Sequence, residues 1–174
     1  MRRERVQVPR VREEREHVGD GRRSEQVVAA PVADVFAFLA DARNLNALTP
    51  DFMRFRVLTP MPVPMGVGAR IDYRLRFRGI PLRWTSEITA WDPTRFFAYE
   101  QRRGPYRLWL HEHEFEALPG GGTRTRDRVV WALAGGSSAR RLWVEPHLDR
   151  IFANRNRVLV ERFGALSGAG EGPP

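Results

Sequence analysis

Residues 106–133 read YRLWLHEHEFEALPGGGTRTRDRVVWAL, and this stretch decides the fold. From Trp109 to Phe115, aromatic and imidazole side chains alternate with apolar or acidic ones. A period of two is the signature of a strand with one buried face. Pro119, Gly120, Gly121 and Gly122 then break the chain with a turn. Beyond it, Thr123 to Leu133 resumes the alternation. If Ala117 pairs with Thr123, Phe115 falls opposite Thr125 and His113 opposite Asp127. His111 then meets Val129, and Trp109 meets Trp131. Each pair lies on one face, so this register is self-consistent. It sets an aspartate beside a histidine on the inner side. Glu112, Glu114 and Glu116 face outward, where cross-strand arginines give weak surface pairs.

Upstream, Ala69 to Arg78 alternates Ile71, Tyr73, Leu75 and Phe77 with Asp72, Arg74, Arg76 and Arg78. The arginine face must meet water, so Tyr73, Leu75 and Phe77 point inward. By the same parity Leu82, Trp84, Ser86 and Ile88 form the inner set of the next strand, Leu82 to Trp91. Phe96 to Arg103 is a further strand, closed by a Gly104-Pro105 turn that is expected to bring Glu100 close to Trp109 and His111. Phe52 to Thr59 reads as a strand. Pro60, Pro62 and Pro64 make the following loop stiff, and Gly66-Val67-Gly68 reads as the turn that leads into the next strand.

At the start, Ser24 to Ala30 reads as a short strand. Pro31 opens a helix carrying Val32, Val35, Phe36 and Leu39 at helical spacing, and Asp41 to Leu48 is a second short helix or turn. At the other end, Ala134 to Arg141 is a Gly/Ser loop. Pro146 then marks the first turn of an amphipathic helix of about twenty residues. Its apolar face holds Leu148, Ile151, Phe152, Val158, Leu159, Phe163 and Leu166. Strands grouped apart from helices predict an α+β domain. Its expected limits are residues 24–166, with a charged, disordered arm at 1–23 and a flexible Gly/Pro tail at 167–174.

Composition narrows the function classes. With no cysteine, disulfides, thiolate metal sites and cysteine nucleophiles are excluded. No apolar run approaches the ~20 residues of a membrane span. The charged N-terminus lacks a signal-peptide core, so the expected location is cytoplasmic. The net charge of +8 is carried entirely by arginine, without one lysine. It is spread over elements that also carry acids and shows no aromatic-and-basic platform, so no nucleic-acid partner is expected.

The segment from Gly104 to Phe115, followed by Gly122-Thr123 and Asp127-Arg128-Val129, resembles the SRPBCC or START-like superfamily, which includes polyketide cyclase/dehydrase-like proteins. So does Ala30-Pro31-Val32-Ala33-Asp34-Val35-Phe36. The resemblance spans about residues 24–166. It implies a helix-grip fold: a curved antiparallel sheet wrapped around the long C-terminal helix, with two short helices after the first strand. It also implies a cavity between sheet and helix.

That cavity is expected to be lined by Tyr73, Leu75, Phe77, Trp84, Trp109 and Phe115 from the strands, with Val129 and Trp131 from the last one. Phe152 and Leu159 come from the helix. Glu100, His111, His113 and Asp127 form a polar cluster within these walls. Arg155 is the helix arginine best placed to reach the cavity mouth and meet an anionic ligand group. His147, in the helix's first turn, is expected to be exposed. The tryptophans at 84, 91, 109, 131 and 143 serve as core or as cavity wall.

Three readings of the His113–Asp127 pair stay open. The two groups satisfy each other structurally, they orient a ligand, or they act as a general acid/base pair. His111, His113 and an acid could also hold a metal, but no second feature supports one, so neither metal nor cofactor is expected. The favoured function is binding or carriage of a small hydrophobic molecule: a lipid, polyketide, isoprenoid or aromatic. The alternatives are a cyclase/dehydrase-type enzyme and an interaction domain with a vestigial cavity. The sequence names no protein partner.

Overall fold

The computed structural model describes residues 21–77, 79–132 and 144–166. The expected arm up to residue 20, Arg78, the Gly/Ser loop at 134–141, Trp143 and the tail at 167–174 lie outside the described residues. The chain runs β1 (Arg22–Val28), α1 (Val32–Leu39), a 3-10 turn (Ala42–Asn44), α2 (Leu45–Leu48), a second 3-10 turn (Asp51–Met53) and β2 (Arg56–Val57). It continues with β3 (Arg70–Phe77), β4 (Ile80–Asp92), β5 (Phe96–Arg103), β6 (Leu108–Ala117), β7 (Thr123–Ala132) and α3 (Glu145–Phe163). The strands form one antiparallel sheet in the order β1-β7-β6-β5-β4-β3-β2. This is the helix-grip α+β architecture. β1 starts two residues earlier than the sequence suggests. The expected strand from Phe52 to Thr59 shrinks to Arg56–Val57, because the chain before it turns through Asp51–Met53.

The β6–β7 register is the one the loop length demands, with His113 opposite Asp127 and Trp109 opposite Trp131. At its tip Leu118 N–H donates to Gly122 O at 2.8 Å, while Gly120 and Gly121 take φ of 87° and 91°. L side chains rarely adopt that left-handed conformation, so the glycines suit the turn. In β4 the pairing with β5 shifts twice, once between Ile88 and Ala90, leaving Thr89 without a partner on β5. Such a bulge bends a strand and raises its twist, helping the sheet to curve.

Pro146 lies in the first turn of α3, where its missing N–H costs no helical bond. The helix ends at Gly164, whose carbonyl accepts from Ala29 N–H at 3.1 Å, tying the helix end to the segment after β1. The core is solid at that end. Val28, Val35, Phe36, Leu39, Phe97, Phe115 and Leu159 pack together, with Phe36 edge-on to Trp91, Phe97 and Phe115. Towards β3 and β4 the sheet and helix separate.

Candidate functional site

A cavity of about 130 Å³ opens between the concave face of the sheet and α3. Strand parity supplies one wall: Tyr73, Leu75 and Phe77 from β3, Leu82, Trp84, Ser86 and Ile88 from β4, Tyr99 from β5, Trp109, His111 and His113 from β6, and Val129 from β7. Leu148, Ile151, Phe152 and Arg155 recur every three or four residues on α3 and form the opposite wall. Leu39, Leu45, Leu48 and Met53 close one side. Of the expected lining residues, Phe115 and Leu159 are buried in the packed end and Trp131 in a cluster with Val144 and Leu148. None of the three reaches the cavity.

Two hydrogen-bonded polar groups stand out in the largely apolar walls, besides Asp41, Thr49 and His147. In the first, Ser86 Oγ accepts from Trp84 Nε1 at 3.1 Å and shares a 2.8 Å hydrogen bond with the Tyr73 hydroxyl. The second gathers Tyr99, His111, His113, Arg155 and, behind them, Asp127. Arg155 Nη1 lies 2.9 Å from Asp127 Oδ1 and 3.1 Å from His111 Nε2. A guanidinium only donates, so His111 Nε2 is the acceptor and the neutral ring carries its proton on Nδ1. That nitrogen is 2.7 Å from the Tyr99 hydroxyl, so the phenol oxygen accepts from it. His113 Nδ1 comes to 2.5 Å of Asp127 Oδ1, a short buried contact with the carboxylate. The His113 ring is stacked between Phe97 and His111, with centroids at 4.3 and 4.1 Å.

Burial governs the charge states. Desolvation, helped by the nearby Arg155, holds both imidazoles below their ordinary value, His111 far below it. Burial alone would raise the Asp127 carboxyl. The Arg155 guanidinium beside it outweighs burial and holds the group well below the usual carboxylate range. Burial pushes the Tyr99 phenol up to about 12. The site therefore holds one anion, one cation and two neutral rings.

Three expectations are corrected here. Glu100 is not in the cluster. It pairs with Leu110, not Trp109, which puts it on the outer face. There Arg102 bridges it to Glu87 at 2.9 and 3.0 Å. Arg155 is not at the mouth awaiting an anion. It is 7% exposed and committed to Asp127. His147 is also not simply exposed: its ring sits against Phe52 and Phe77 and lines the cavity. Tyr99 is the site residue the sequence reading missed, and the correct β5–β6 register would have found it. His111, His113 and Asp127 offer ligand atoms within 4.8 Å of one another. The Arg155 cation beside Asp127 and His111 opposes a metal there.

A family model described as polyketide cyclase/dehydrase and lipid transport matches residues 28–159. An uncharacterized protein of Mycobacterium tuberculosis, Rv0088, is 32% identical over 118 residues, which is 67% of this chain and 50% of that protein. The chain thus spans about half the length of the curated relatives it matches. Among solved structures, the Zhui aromatase/cyclase from Streptomyces sp. R1128 superposes with a TM-score of 0.63 at 20% identity, over 81% of this chain and 92% of that one. TTHA0849 from Thermus thermophilus gives 0.62 at 17% identity, over 80% and 97%. At such identities the likeness is one of fold.

Proposed function

Because the chain belongs to the polyketide cyclase/dehydrase and lipid transport family, we propose that it binds or carries a small, largely apolar molecule between sheet and helix. The observation that carries this reading is the cavity itself. It is walled mostly by tryptophan, tyrosine, phenylalanine and aliphatic side chains, with two hydrogen-bonded polar groups among them. Convergent polar groups in an apolar pocket orient a bound molecule. Its volume is comparable to that of an engineered protein cavity that accepts benzene, so the occupant is a single ring, or part of a longer molecule that extends through the mouth.

A cyclase-type reading is favoured by one feature, the buried contact between His113 and Asp127. Against it, Asp127 is already neutralised by Arg155. Carriage is therefore the primary proposal.

Native mass spectrometry of freshly purified protein tests for a co-purifying small molecule. Toluene titration supplies a direct assay, read by the fluorescence of Trp84 and Trp109 in the wall. Saturable binding is expected, and Ile151→Trp, which fills the space from the helix side, should abolish it while leaving the circular dichroism spectrum unchanged. No co-purifying mass together with no saturable toluene signal would refute the proposal.

A further inference from the structure

The hydrogen bonds around Tyr99 have a direction. Arg155 donates to His111 Nε2, His111 Nδ1–H donates to Tyr99, and the Arg155 guanidinium also stands beside the phenol oxygen. That oxygen is thus surrounded by donors. With His111 Nδ1 as the donor, the hydroxyl's own hydrogen is left to turn toward the cavity that Tyr99 lines. A half-buried hydroxyl without an acceptor carries a cost. A ligand oxygen would satisfy it.

The charges limit what that ligand can be. Asp127 and Arg155 cancel, and both imidazoles are neutral. The acid that lines the cavity, Asp41, is paired with Arg43 at 2.6 Å. A carboxylate or phosphate would have to draw Arg155 away from Asp127, leaving a buried aspartate uncompensated. A cationic ligand would find no free carboxylate on the lining among the described residues.

Building on the carriage reading, we infer that the cavity selects an uncharged ligand with a carbonyl-type acceptor oxygen, held by the Tyr99 hydroxyl, and rejects an acid of the same shape. The acceptor is a ketone, aldehyde, quinone or ester oxygen. The acids of fatty or aromatic compounds are excluded. The hydroxyl pair of Tyr73 and Ser86 is uncharged as well and does not alter this balance.

Three probes of similar size separate the possibilities by isothermal titration calorimetry near neutral pH: toluene, acetophenone and benzoate. Acetophenone should bind about tenfold more tightly than toluene, the worth of one net hydrogen bond. Benzoate should bind more weakly than toluene. In Tyr99→Phe the advantage of acetophenone should vanish while toluene binding persists. Benzoate binding as tightly as acetophenone would overturn the inference, as would an unchanged acetophenone-to-toluene ratio in Tyr99→Phe. The wild-type comparison stands even if that variant fails to fold. If toluene does not bind and no small molecule co-purifies, the carriage reading falls and this inference falls with it.

Discussion

Asp127 is approached by Arg155, His113 and His111 at 2.9, 2.5 and 3.4 Å. The arrangement makes stability depend on pH in a definite direction. Both histidines have folded values below 6.5, so the unfolded chain takes up protons that the folded chain refuses as the pH falls through 6.5. Their contribution is complete above that value and is lost below it. Asp127 behaves differently. Its folded value lies below 3.8, so its contribution is intact above 3.8 and is lost only in stronger acid. Between pH 7 and 5 the imidazoles dominate. Unfolding free energy should decline there with a slope approaching about 1.4 kcal/mol per pH unit for each neutral ring. Urea denaturation at several pH values measures it, and His113→Gln should flatten the slope. A parent protein equally stable at pH 7 and 5 would mean that these rings are not held neutral.

The hairpin of β6 and β7 was legible because two signals agreed. The loop at 118–122 fixes the register, and the alternation from Trp109 to Phe115 fixes the face. The hairpin of β5 and β6 offered only one. Gly104-Pro105 marks a turn without giving its length, and Phe96-Phe97-Ala98-Tyr99 has apolar side chains on both faces. A one-residue change in pairing exchanges Glu100 for Tyr99 at the cavity. Helix α3 shows a related limit. Position 155 falls in the apolar stripe between Phe152 and Leu159, but an arginine there reads as solvated until its distant partner Asp127 is known. The same helix passes from open cavity to solid core, and two substitutions should reveal the change. Leu159 is fully buried in the packed end. Leu159→Ala should cost about 3–5 kcal/mol, the range for a truncation whose void cannot collapse. Phe152 already borders open space, so Phe152→Ala should cost less than about 3 kcal/mol. It should also admit naphthalene. Denaturant midpoints at constant m-value compare the two, and a larger loss at Phe152 would mean that the cavity is closed in solution.

Across the whole molecule the convex face of the sheet divides into two electrostatic halves. On β1, β6 and β7 the arginines are answered by acids: Arg126 by Glu25 and Glu116, Arg124 by Glu116, and Arg128 by Glu112, at 2.9 to 3.0 Å. On β2, β3 and β4 Arg70 meets Glu87 at 2.6 Å, but a row beside it is unanswered. Arg74 lies directly opposite Arg56 on one side and Arg83 on the other, and all three are exposed without an ion pair among the described residues. Like charges facing each other across a sheet repel. An uncompensated row of three arginines therefore lies on this side of the sheet. Only the register shows this, because the alternation that turns the arginines outward says nothing about their neighbours. Arg74→Glu would convert both repulsive pairs into attractive ones. It should raise stability by about 0.5–1 kcal/mol at low ionic strength. Salt should narrow the difference from the parent and nearly erase it at about 1 M, where the Debye length is about 3 Å. Arg74→Gln, which removes repulsion without adding attraction, should lie between the two. Thermal melts of the three proteins across a salt series decide the matter. If Arg74→Glu melts no higher than the parent at low salt, the arginine side chains are splayed far enough apart that the row carries no strain.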